Sequence, residues 1–91
     1  MDIGQVIGNV WATKKDANLN GIKLLVVSIN ESNFNKKEKL LVAADIVGAG
    51  EGDTVLITYG GSARIAINNK NAPVDAAIVG IVDSVEVNKN G

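Results

Sequence analysis

The chain has 91 residues, with 9 Lys and Arg against 10 Asp and Glu and a formal net charge of -1; that is room for one domain with a modest core, and no charge excess to attract nucleic acid or an anionic membrane. It contains no cysteine and no histidine, which removes disulfides, thiolate nucleophiles and structural zinc along with the commonest general base. Hydrophobic residues make up 46% but aromatics only 3%, so the apolar mass is aliphatic, and its many Val and Ile favour pleated sheet.

Five segments read as strands. Residues 3–13 form the first, with Gly4 and Gly8 inside it, followed by a polar stretch, 14–20, and Gly21. Residues 22–30 (IKLLVVSIN) are the strongest apolar run, and 31–38, rich in Asn and Lys, read as a loop or hairpin end. Lys36, Lys37 and Lys39 are interrupted by Glu38 and read as a solvated turn rather than a phosphate site. Residues 39–47 run into a glycine turn, 48–53 (GAGEGD), and 54–59 (TVLITY) are the fourth strand. Gly60-Gly61 then turns the chain, and Ser62 is placed to cap a short helix through Ala63-Arg64-Ile65-Ala66. Pro73 forbids helix at Ala72, and 77–87 form the fifth strand before a polar tail, 88–91. Five short strands with one helix between the fourth and fifth suit a small, partly open β-barrel of the OB type, with other small barrels and a compact sandwich also compatible. Gly4, Gly8 and Gly80 within strand-like runs suit the bulges and sharp coiling of a barrel. The expected fold class is therefore all-β, over a single domain 1–91.

The strand faces carry an anomaly. A strand with one wet side alternates apolar and polar residues. Here Ile22, Leu24 and Val26 oppose Leu25, Val27 and Ile29, the run 40–42 is apolar on both faces, and Ala77, Val79, Ile81, Val85 and Val87 oppose Ile78 and Val82. A barrel this small has one interior, so the outer aliphatics call for another cover. Burial against another copy supplies it, chiefly along 22–29 and 77–87; scattered surface aliphatics are the ordinary alternative.

The candidate chemistry is thin. Gly48-Ala49-Gly50-Glu51-Gly52 lacks the following helix N-terminus and the Lys of a phosphate loop, and Glu51 and Asp53 repel an anion, so a tight turn with positive φ is the better reading. Gly60-Gly61-Ser62-Ala63-Arg64 lacks the second glycine of a nucleophile elbow, and no histidine exists to activate Ser62. Asp45, Asp75 and Asp83 could form a carboxylate pair for acid–base work, though single aspartates accepting backbone hydrogen bonds or meeting Arg64 across an interface are commoner. Trp11, Phe34 and Tyr59 lie outside any basic cluster, unlike the aromatic platforms of nucleic-acid-binding barrels. Residues 3–10, broken by Gly4, Gln5, Gly8 and Asn9, make no secretion signal, and no apolar run approaches the roughly 18–20 residues of a membrane span, so the expected location is the cytoplasm.

In order along the chain stand Val6-Ile7-Gly8-Asn9-Val10-Trp11-Ala12-Thr13-Lys14 and Leu19-Asn20-Gly21-Ile22-Lys23-Leu24-Leu25-Val26-Val27. Ala44-Asp45-Ile46-Val47-Gly48-Ala49-Gly50-Glu51-Gly52 follows, then Val55-Leu56 and Gly60-Gly61-Ser62-Ala63-Arg64. Pro73-Val74-Asp75 and Ile78-Val79-Gly80-Ile81-Val82-Asp83 complete the set. This ordered combination resembles the EutN/CcmL family, the vertex proteins of carboxysomes and of ethanolamine- or propanediol-type microcompartments. The resemblance implies an OB-like barrel assembling into a homo-oligomer, a cyclic pentamer, set at five-fold corners among hexameric shell proteins in the bacterial cytoplasm. It implies no catalytic residue; the absence of His and Cys and the scattered acids lead to no expected metal or cofactor, and the near-balanced charge to no expected nucleic-acid or membrane partner. Trp11 and Gly61 depart from the family, which usually has a smaller β-branched residue at the first position and Ser or Ala at the second. On this reading Gly48, Ala49, Gly50 and Glu51, with Gly60, Gly61, Ser62, Arg64 and Asp83, are expected to shape subunit contacts or a central opening, Arg64 by pairing with a neighbour's carboxylate. The competing expectations are a small ligand- or nucleic-acid-binding barrel, which would be a monomer, and an enzyme with a carboxylate-only site.

Overall fold

Each aliphatic run finds a partner strand. The computed structural model describes residues 1–12, 15–30 and 38–86. In chain order these form β1 (Asp2–Asn9), a single 3-10 turn (Ala17–Leu19), β2 (Lys23–Asn30), β3 (Glu38–Asp45), β4 (Thr54–Tyr59), α1 (Gly60–Ala66) and β5 (Ala76–Ile81). The strands close into a barrel in the order β1-β2-β3-β5-β4, so the barrel is closed rather than partly open. Neighbouring strands run antiparallel except β3 and β5, which run parallel and meet at two registered pairs, Ala44 with Ala77 and Asp45 with Ile78.

Inward-facing side chains fill the barrel: Val6 from β1, Leu25, Val27 and Ile29 from β2, Ala43 from β3, Val55 and Ile57 from β4, and Ala76 and Ile78 from β5, with Ala49 from the turn. Gly4 lets β1 and β2 approach closely, since a Cβ there would stand 2.6 Å from Val27 Cγ1 and 2.9 Å from the Ser28 carbonyl oxygen. The register of β1 against β2 shifts between Val6 and Gly8, and that of β4 against β5 between Leu56 and Ile57, opposite Gly80 and Ile78. These irregularities bend the strands enough to close a five-stranded barrel.

A second small cluster lies outside the barrel, where Ala44, Ala72 and Val74 pack with Leu19, Ile22, Leu24 and Ile67. The chain's own 3-10 turn and the segment before β5 thus cover part of Ile22 and Leu24, at the start of the 22–29 run expected to meet another copy. Exposed large aliphatics stand at Ile3, Ile7, Leu40 and Val42 on the barrel wall and at Ile81 and Val85 in the 77–87 run.

Three further expectations change. β1 ends at Asn9: Val10 still donates to the Leu24 carbonyl at 3.0 Å, and the chain then leaves the sheet; Thr13 lies outside the described residues, as do 31–37 with Lys36 and Lys37. β5 stops at Ile81 because its partner runs out, the last rung being Val82 N–H to the carbonyl of Thr54, the first residue of β4; Val87 and the tail 88–91 lie outside the described residues. The helix starts two residues before Ser62, with Tyr59 as its cap residue and no side-chain cap. Gly60, at φ +60°, takes the chain straight from strand to helix, and its N–H donates to the Asp75 carbonyl at 2.9 Å, so no serine cap is needed.

Candidate assembly surfaces

The predicted site residues fall into two groups. Gly48, Ala49, Gly50 and Glu51 form the turn between β3 and β4, and Asp83 follows β5 at the same end of the barrel, next to Thr54. Gly60, Gly61, Ser62 and Arg64 belong to α1, which begins where β4 ends. β4 therefore separates the groups by roughly 17 Å at about 3.4 Å per residue, and within one copy they form no common site.

The turn is held from several sides. Asp45, its side chain 2% exposed, accepts from Val47 N–H at 3.1 Å with Oδ1 and from Ala49 N–H at 3.0 Å with Oδ2. Lys23 Nζ donates to the Ala49 carbonyl at 2.7 Å and stands 3.9 Å from Asp45 Oδ2. Gly50 N–H donates to Asp53 Oδ2 at 2.9 Å, and Gly52 N–H to the Val6 carbonyl at 2.8 Å, which ties the turn to β1. Gly48 and Gly52 take φ values of +79° and +91°, as a tight turn in this segment requires. Ala49 is buried and Glu51 is exposed. The amides of Ala49 and Gly50 are thus occupied by carboxylates of the chain itself, which disfavours a phosphate at this loop.

At the other end, Ala63 anchors α1 in the fold while Gly61, Ser62 and Ile65 face outward. Half-buried Arg64 donates from Nη1 to the Val74 carbonyl at 3.3 Å. One contact here had no local signal: the Tyr59 hydroxyl donates to Asp2 Oδ2 at 2.6 Å, joining residues 57 positions apart. Burial, then this hydrogen bond and the negative charge of Asp2, push the Tyr59 hydroxyl up from 10.0 to about 12. The clamp on the turn was only partly legible: Asp45 fits the reading of an aspartate accepting backbone hydrogen bonds, whereas Lys23 stood unnoticed in an apolar run.

Asp45, Asp75 and Asp83 do not converge, since Asp75 lies next to α1 and the other two at the turn end. Among the described residues no three His, Cys, Asp or Glu side chains are grouped to hold a metal ion. No described helix is long and apolar enough to cross a membrane.

The family model described as "Ethanolamine utilisation protein EutN/carboxysome" matches residues 1–83. The chain belongs to the EutN/CcmL family. Within that family it is 44% identical over 88 residues to the carboxysome shell vertex protein CcmL of Nostoc sp., a match covering 96% of this chain and 87% of the relative. It is 43% identical over 86 residues to the bacterial microcompartment shell vertex protein GrpN of Rhodospirillum rubrum, covering 94% of this chain and 97% of GrpN. The solved structure of GrpN, described as a pentameric microcompartment shell protein, superposes with a TM-score of 0.79 at 42% identity, over 96% of this chain and 98% of that one. Both EutN/CcmL relatives are shell proteins rather than enzymes.

Proposed function

We propose that this chain is a structural protein of a bacterial microcompartment shell, in the cytoplasm, and that it forms a cyclic pentamer closing five-fold vertices among hexameric shell proteins. The observation that carries this reading is the near full-length match to GrpN, a pentameric shell protein of the same fold. The work is geometric. Each copy meets the next through two different surfaces, and the ring closes because the rotation between copies is a whole fraction of a turn. A five-fold ring supplies the curvature that flat six-fold layers lack. The whole chain, 1–91, acts as one vertex domain, and the reading calls for no cofactor.

The turn at Gly48, Ala49, Gly50 and Glu51 with Asp83, and separately Gly60, Gly61, Ser62 and Arg64, contribute to contacts between copies or to the rim of a central opening. Arg64 keeps donors beyond its one hydrogen bond to the Val74 carbonyl, and a neighbour's carboxylate is their partner. Native mass spectrometry tests the ring: the expected species has five times the mass of one chain, and a stable monomer at micromolar concentration would overturn the reading. Arg64→Ala is expected to lower the ring fraction and its thermal stability; if both stay unchanged, the Arg64 pairing is wrong while the ring stands.

A further inference from the structure

Between the 3-10 turn and β2 the chain reverses through Asn20 and Gly21. Asn20 has φ -62° and ψ 131°, Gly21 has φ +80°, and Ile22 N–H donates to the Leu19 carbonyl at 3.1 Å, which together make a type II turn. Both central residues are exposed. The left-handed second position explains the glycine. Nothing in the turn calls for a carboxamide at the first, because the Asn20 side chain bonds to no described residue.

A carboxamide carbon beside a free main-chain N–H is an electrophile next to a nucleophile. Gly21 N–H has no acceptor among the described residues, and a Cβ added at Gly21 would meet nothing within 4 Å, so the approach is open. The other described asparagines differ. The amides that follow Asn9, Asn18, Asn68 and Asn71 all donate within the fold, to the carbonyls of Leu24, Asp16, Arg64 and Asn69 at 3.0, 2.9, 3.1 and 3.2 Å. Asn30 and Asn69 precede Glu31 and Lys70, whose Cβ atoms hinder the attack that glycine leaves open.

We infer that Asn20 is a site of spontaneous modification, its carboxamide converting to a carboxylate through a cyclic imide formed with Gly21. The Gly21 nitrogen, having lost its proton to base, attacks Asn20 Cγ. The N–Cγ bond forms, the Cγ–Nδ2 bond breaks, and the nitrogen leaves as ammonia after taking up a proton. Water then opens the imide. Cleavage at Cγ gives aspartate; cleavage at the main-chain carbonyl carbon routes the chain through Cγ as isoaspartate, one methylene longer. The sum is amide and water to acid and ammonia, with no oxidant or reductant. At ψ 131° the nitrogen stands away from Cγ, so ring closure follows rotation about the Asn20 Cα–C bond. That rotation is restrained by the one turn hydrogen bond and by Leu19 and Ile22, which pack on Ala44, Ala72 and Val74. Isoaspartate separates Leu19 from Ile22 by an extra methylene, so the reaction loosens the cluster that ties β3 to the segment before β5, and it adds one negative charge.

Incubation of the purified protein, in its native assembly, in heavy-oxygen water at mildly alkaline pH tests this. Digestion with trypsin in ordinary water then cuts after Lys15 and Lys23 and releases residues 16–23, which hold Asn20 and, as an internal control, Asn18. Heavy oxygen is expected at residue 20 and not at 18, with isoaspartate exceeding aspartate in the fragment spectra. Asn20→Gln, whose longer side chain closes an imide far more slowly, is expected to lose the label. Label at Asn18 instead overturns the inference. So does a folded sample without label after a time that converts the urea-unfolded chain, and so does its absence from both. The aged acidic form, separated by anion exchange, is expected to melt below Asn20→Asp, which carries the same charge without the methylene; equal melting overturns the loosening.

Discussion

Individual residues with the largest expected effects are those whose neighbours leave no slack. At Gly4 a methyl group would sit 2.6 Å from Val27 Cγ1 and 2.9 Å from the Ser28 carbonyl oxygen. Gly4→Ala is expected to cost about 1–3 kcal/mol in urea unfolding, since the backbone of β2 must move. Gly8, with no atom within 4 Å of an added Cβ, is the control, and its alanine variant should stay within about 0.5 kcal/mol. Asp45→Ala removes the acceptor of two backbone N–H groups and should destabilise by about 1–3 kcal/mol. Tyr59 links stability to pH. Its hydroxyl is raised from 10.0 to about 12 by burial first and by Asp2 second. The protonated form is thus favoured in the fold, and the contribution is fully present below pH 10 and lost as pH rises through about 12. The chain has one tyrosine, so tyrosinate absorbance follows this group alone, and Tyr59→Phe should flatten the alkaline loss in that window. Such pairings are invisible to a linear reading. Gly4 was legible as a strand glycine with a reason to be there, but its neighbours Val27 and Ser28 become visible only once register is known.

Among the elements, the seam between β3 and β5 is the shortest, with two registered pairs. The outer cluster of Ala44, Ala72 and Val74 lies across it, so the segment before β5 acts as a brace. Val74→Ala should cost about 1–2 kcal/mol through lost burial, and hydrogen exchange should show Ala77 and Ile78 losing protection before β2. The strands themselves were plain in the sequence because β-branched runs bounded by glycine and asparagine leave few alternatives. β4 stands at the positions its pattern predicts, and β2 begins one residue late. The errors lie at the ends, where pairing decides. The fifth strand looked long because its apolar pattern in the sequence runs on to Val87, yet β4 offers no rung beyond Thr54. Ser62 looked like a cap because serine before a helical run usually is one; a glycine at positive φ made the cap unnecessary.

Across the whole molecule, the sequence made an unpartnered outer surface legible but misplaced much of it. Ile22 and Leu24 are partly covered from within, and the large aliphatics left in water include Ile3 and Ile7 from β1, Leu40 and Val42 from β3, Ile81 from β5 and Ile65 from α1, with Trp11, Ile46, Val47 and Val85 on the segments that follow strands. Periodicity describes one strand at a time and cannot report that a distant segment folds back over its face. The two groups of candidate site residues illustrate the same limit, since GAGEG and the Gly60 segment are neighbours in sequence and stand at opposite ends of β4. An ion pair near the surface is screened by salt, so the share of ring stability that Arg64 supplies is expected to fall at ionic strength of about 1 M, where the Debye length is about 3 Å, in sedimentation measurements of the wild type against Arg64→Ala.

The strand order also gives the molecule a schedule. Among the described strands β5 alone joins β3 to β4, and it follows the other four in chain order. Until it arrives, the nascent chain is an open four-stranded sheet with two bare edges, the kind of surface that pairs with the wrong neighbour. Ile81 and Val85 arrive with it. Insertion of β5 is thus the keystone step of synthesis: it seals the edges, and only then does the chain own the complete surface that it offers to another copy.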